Sequence, residues 1–156
     1  MPIEIERKFL VNHEKWDNVV KPTGHNYRQG YLVAEAGMTI RVRVADNSGY
    51  ITIKGATVGV SRSEFEYEIP KGEAEELQDR FAVSELSKIR YKIEFAGKLW
   101  EVDEFLGENL GLLMAEIELT SEEEEFQLPD WVETEVTGDQ RYYNSYLSGN
   151  PFNKWR

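Results

Sequence analysis

The chain contains no cysteine, so it can build neither a disulfide framework nor a thiolate metal site. Its two histidines, His13 and His25, sit in polar stretches without metal-ligand spacing, which leaves imidazole chemistry without a candidate. No run approaches the roughly 18 apolar residues of a membrane span, and Glu4 and Glu6 do not suit a signal peptide. With the missing cysteine, these absences fit a cytoplasmic protein. Positive charge is scarce: 18 Lys and Arg stand against 29 Asp and Glu, a net charge of −11. That balance excludes general binding to nucleic-acid phosphates, which needs a basic field, but leaves room for a concentrated basic site that holds a small anion. The glycines follow no phosphate-loop spacing.

What the chain has is alternation. Its 156 residues suffice for one domain with its own core, and no shift in composition marks a boundary within 1–156. Eight segments repeat with a period of two: MPIEIERKFLV, YRQGYLV, MTIRVRVA, GYITIKG, RSEFEYEIP, SKIRYKIEF, KLWEVDEF and LMAEIEL. Helical patterns interrupt them rarely. One or two turns fit within NHEKWDNVVKPTG, and KGEAEELQDRFAV is the longest candidate. SEEEEF opens with a capping-box signature, and QRYYNSYL reads as a closing helix. The expected class is mainly β (α+β).

Sorting the strands by parity separates an apolar face from an ionic one. Ile40, Val42 and Val44 oppose Arg41 and Arg43, and Phe65, Tyr67 and Ile69 oppose Arg62, Glu64, Glu66 and Glu68. Ile89, Tyr91 and Ile93 oppose Lys88, Arg90 and Lys92. A single strand of this kind simply presents its charges to water. Here, however, the ions come as like-signed neighbours: Glu4 with Glu6, Arg41 with Arg43, Glu64 with Glu66, Lys88 with Arg90, Glu116 with Glu118. A solvated face generally avoids such pairs because they repel. A closed eight-stranded antiparallel barrel with a wet lumen accommodates them, with the apolar faces turned outward and covered by helices. The inward acids would be Glu4, Glu6, Glu64, Glu66, Asp103, Glu116 and Glu118, and the inward bases Lys8, Arg41, Arg43, Lys54, Arg62, Lys88 and Arg90. Seven against seven suits neither a lone cation nor a lone polyanion. A triphosphate carrying divalent cations suits both halves, with the bases on phosphoryl oxygens and the carboxylates on Mg²⁺ or Mn²⁺. Arg7 has the wrong parity for the lumen and should form an outer salt bridge.

EIERK at positions 4–8 resembles the ExExK signature of the CYTH, or triphosphate tunnel metalloenzyme, superfamily. RQGYL, TIRVR, TIKG, SRSEFEYEI, KIRY, EVDEF, AEIEL and EVTGDQRYYN follow in family order. The resemblance implies an eight-stranded tunnel and a metal-dependent triphosphatase, most similar to the inorganic triphosphatases that split tripolyphosphate into pyrophosphate and phosphate. It also implies roles. Glu4, Glu6, Glu64, Glu66, Asp103, Glu116 and Glu118 would serve two divalent ions. Lys8, Arg41, Arg43, Lys54, Arg62, Lys88 and Arg90 would bind substrate, and Lys88 and Tyr31 would join Glu4, Glu6 and Lys8 in catalysis. A class IV-type adenylyl cyclase, a thiamine triphosphatase and a non-catalytic polyphosphate-binding module are the alternatives. The expected partner is a small-molecule triphosphate, without nucleic acid or membrane, and a homodimer is compatible with the sequence.

Overall fold

A computed structural model describes residues 3–155 of the chain. The alternating segments form β1 (Ile3–Val11), β2 (His25–Glu35), β3 (Met38–Ala45), β4 (Ser48–Gly55), β5 (Ser61–Ile69), β6 (Ser84–Phe95), β7 (Lys98–Phe105) and β8 (Leu113–Glu118). A short ninth strand, β9 (Val132–Glu135), follows. The hydrogen-bonded order is β5-β4-β3-β2-β6-β7-β8-β1-β9, and a further β5–β1 pairing closes the first eight into an antiparallel barrel. Closure rests on three residue pairs, Ile3 with Ser63, Glu4 with Arg62 and Ile5 with Ser61. Beyond them β1 turns to β9 through Phe9 and Val11, so its second half is also paired.

The apolar faces do point outward. Phe9, Val11, Trp100, Val102, Ala115 and Ile117 form a buried layer outside β1, β7 and β8, together with Trp16 and Trp131. Each large side chain buried there contributes about 1.5–3 kcal/mol relative to exposure. Trp16 comes from α1 (His13–Asp17), which Asn12 caps by accepting from the Lys15 N–H. Trp131 comes from the irregular segment before β9. On the opposite flank α2 (Lys71–Phe81) lies over β2, β3 and β4 and buries Ala74 and Gln78. The Gln78 Nε2 donates to the backbone carbonyls of Arg28 and Val42, both at 2.9 Å. Helices alone therefore do not cover the barrel, since the loop that carries Phe126 and Trp131 shares the β1–β8–β7 side with α1.

The inward face is also less uniform than its charges suggest. Leu86, Phe105 and Met114 share parity with the inward ions of their strands, yet cluster with Leu112 and Leu147 in a second buried core. Leu147 belongs to α3 (Asn144–Gly149), and Tyr142, Phe152 and Trp155 pack around it. The C-terminal segment thus fills part of the barrel interior with apolar side chains and confines the ions to the remainder. QRYYNSYL becomes a helix only from Asn144, after a 3-10 turn over Gln140–Tyr142. SEEEEF does not form the expected helix. Pro129 follows closely, and the Glu124 carboxylate folds back to accept from the Thr120 N–H at 2.6 Å and pairs with Lys98, holding a single turn. Among the described residues no helix is long and apolar enough to cross a membrane.

Candidate active site

The barrel register determines which charges meet. On the β1–β8–β7 wall, Glu6 lies directly opposite Glu118, Lys8 opposite Glu116, and Glu101 opposite Glu116. Two of these three pairs are like-charged, which destabilises a sheet unless something lies between the charges and relieves it. The facing wall carries Arg41 and Arg43 on β3 and Lys88 and Arg90 on β6. These groups enclose a cavity of about 220 Å³. Of the fifteen residues expected in the site, fourteen line it, including Tyr31, Arg62, Glu64 and Glu66.

Asp103 is placed differently. It is fully buried, does not line the cavity, and holds Lys88 Nζ at 2.7 Å and Arg90 Nε at 2.7 Å. Burial disfavours its charge, but Arg90 and Lys88 outweigh that and hold its pKa below the ordinary aspartate value. It is positioned to fix two cations. Arg7, as its parity requires, points outward and pairs with Glu135 at 2.6 Å.

The other ions form a network. Lys54 Nζ lies 3.0 Å from Glu4 and 3.3 Å from Glu64. Lys8 Nζ lies 3.5 Å from Glu116, and Arg41 lies 3.6 Å from Glu66. Their protonation reflects crowding. Burial and the Glu116 charge push Glu6 up to about 8, while Glu116, opposed by burial but held by Lys8 and Arg90, stays well below the usual carboxylate range. Glu64 is raised by burial and by Glu4, and Glu118 by burial and by Glu4. Lys88, buried and beside Arg90, falls to about 7. Its Nζ donates to Asp103 and, at 3.1 Å, to Asn144 Oδ1, which leaves one tetrahedral position toward the cavity.

The donor set fits a hard divalent cation. Glu6 and Glu116 converge on Lys8 Nζ at 3.8 and 3.5 Å, and Glu4 and Glu64 on Lys54 Nζ at 3.0 and 3.3 Å, so each pair of carboxylates aims its oxygens at a common cation. Among the described residues no group of three or more carboxylates or imidazoles encloses an ion by itself. Incomplete protein coordination is what Mg²⁺ commonly accepts, completing its shell with waters and substrate phosphates.

Several lining residues escaped sequence reasoning. Tyr143 lies 5.6 Å from Lys8 Nζ and 5.8 Å from the Arg62 guanidinium, and Thr137 Oγ1 accepts from the Lys8 N–H at 2.9 Å. Asn144 belongs to the same stretch. All three lie outside the alternating strands, so no periodicity marks them. EVTGDQRYYN was legible only through its family resemblance.

Comparison with known proteins agrees with this architecture. The CYTH domain pattern matches residues 2–144. A protein of Acetivibrio thermocellus named an inorganic triphosphatase is 49% identical over 154 residues, covering 98% of this chain and 97% of its own. One of Nitrosomonas europaea with the same name is 34% identical, covering 93% and 96%. A crystal structure of an inorganic triphosphatase superposes with a TM-score of 0.65 at 31% identity, covering 95% of each chain. Barrel, charge arrangement and similarity coincide, and the chain belongs to the CYTH domain family.

Proposed function

We propose that the chain is a metal-dependent inorganic triphosphatase, one domain over 1–156, that splits tripolyphosphate into pyrophosphate and phosphate. The observation that carries this reading is the pairing of an acidic wall, with Glu6 opposite Glu118 and Glu101 opposite Glu116, against a basic one in a single small cavity. Similarity over nearly the full length to proteins named inorganic triphosphatases supports it.

Glu4, Glu6, Glu64, Glu116 and Glu118 would hold two Mg²⁺ or Mn²⁺ ions, with Glu66 nearer the mouth. Such ions, when bound, offset phosphate charge and make a water more acidic. The chain's own side chains do the rest. Arg41, Arg43, Lys54 and Arg90 bind phosphoryl oxygens and stabilise charge on the leaving pyrophosphate. Lys8 and Arg62 hold the opposite flank of the chain. Lys88, fixed by Asp103 and Asn144, presents a Nζ that passes between ammonium and amine near neutral pH and takes a proton from the attacking water. Tyr31 also lines the cavity, further along β2, where its hydroxyl accepts from Gln29 Nε2.

A second reading has one observation in its favour. A neighbouring cavity of about 510 Å³ shares Thr39, Arg62 and Tyr143 with the tunnel and is lined mainly by small, uncharged residues. It would accept an organic group attached to a triphosphate. Phosphate release from tripolyphosphate, thiamine triphosphate, ATP and GTP, each with Mg²⁺ or Mn²⁺, separates the readings. Tripolyphosphate should give the highest kcat/KM and ATP no cyclic AMP. Dominant turnover of an organic triphosphate, or cyclic AMP from ATP, would refute the proposal.

A further inference from the structure

We propose that Tyr27 and Gln29 are positioning residues that hold Arg43 in the tunnel as a cation without a carboxylate partner, and that this uncompensated charge anchors one end of the bound triphosphate. The inference rests on the reading of the tunnel as a triphosphate site. Lys8, Arg41, Lys54, Arg62, Lys88 and Arg90 each lie within 4.0 Å of a carboxylate oxygen. Among the described residues Arg43 alone of the tunnel cations has no such partner. Its Nε donates to Gln29 Oε1 at 3.2 Å, and its guanidinium carbon lies 4.6 Å from the centre of the Tyr27 ring. The same ring lies 5.3 Å from Arg90 and 5.9 Å from Lys88.

Gln29 is fully buried, Tyr27 is 8% exposed, and neither lines the cavity, so both stand behind the cations they touch. An amide oxygen and a ring face attract a guanidinium but carry no net charge. They therefore fix its place without neutralising it. A carboxylate at the same position would pair with Arg43 and compete with phosphate. The amide also reaches Tyr31, donating from Nε2 to its hydroxyl at 3.4 Å, so one buried side chain sets two groups of the wall. Substrate binding supplies the anion that Arg43 lacks.

Gln29→Glu tests this, because it changes charge at nearly constant shape. The KM for tripolyphosphate and its Kd by calorimetry should both rise about tenfold or more, with kcat within about threefold of wild type. Tyr27→Phe, which keeps the ring, should leave KM within about twofold, whereas Tyr27→Leu should raise it. A Gln29→Glu enzyme with unchanged KM and Kd, or one that loses kcat alone, would overturn the assignment. Were Gln29→Glu to misfold, equal KM values for Tyr27→Leu and Tyr27→Phe would overturn it. A wild type that binds no tripolyphosphate would overturn the tunnel reading as well.

Discussion

At Glu6 the fold holds a carboxyl group in a place that costs stability and serves chemistry. Burial and Glu116 raise its pKa from 4.5 to about 8. The folded state therefore binds more protons than the unfolded state between those values, and stability falls as pH rises through that window, the penalty being complete above about 8. In metal-free buffer Glu6→Gln should raise Tm relative to wild type at pH 8, with the difference vanishing toward pH 4.5, which thermal denaturation across pH would check. An equal Tm at both pH values would mean that Glu6 carries no such penalty. Lys88 makes the complementary case. With its ammonium destabilised to a pKa of about 7, the amine needed to accept a proton is populated above that pH. The kcat profile should therefore rise through neutral pH, and Lys88→Arg, which stays charged, should lose activity at every pH. An arginine variant with a normal profile would remove Lys88 from proton transfer.

Among strands and helices, the C-terminal α3 carries the strongest structural prediction. Leu147 is fully buried against the inner cluster of Leu86, Phe105 and Met114. Leu147→Ala should destabilise the protein by about 2–5 kcal/mol in urea titration, a cavity cost added to lost transfer energy. It should also lower activity, since the same short helix begins at Asn144, which touches Lys88. The eight barrel strands were legible because alternation is strict in them, and Ile40–Arg41–Val42–Arg43 can adopt only one useful orientation. Nearly all expected site residues followed from that parity, because facing inward is a backbone property. Asp103 was legible as inward but not as buried behind Lys88 and Arg90, since depth along a strand has no sequence signal. Leu86, Phe105 and Met114 break the ionic pattern at strand ends, and only their contact with Leu147 gives them meaning. β9 consists of four residues and exists because it extends β1. SEEEEF stops after a single turn, with Glu124 tied back to Thr120 and drawn to Lys98, a tertiary partner that local sequence does not reveal.

Across the barrel, charge reconciles fold with function. A net charge of −11 would repel a triphosphate, yet the lumen gathers arginines and lysines, most of them on β3, β4 and β6, against carboxylates mostly on β1, β7 and β8. Buried ions of this number are retained at a cost in stability, which makes sense where a ligand of mixed charge occupies the space. Both walls should then be indispensable to turnover while the outward-packed core keeps the fold intact without them. The most direct test is the initial rate of phosphate release from tripolyphosphate with Mg²⁺ for wild type, Glu4→Gln and Lys8→Ala, with folding verified by circular dichroism. The expected result is rapid release by wild type and a loss of roughly a hundredfold or more in kcat in both folded variants. Near-normal turnover by both variants would contradict the assignment of catalysis to this tunnel.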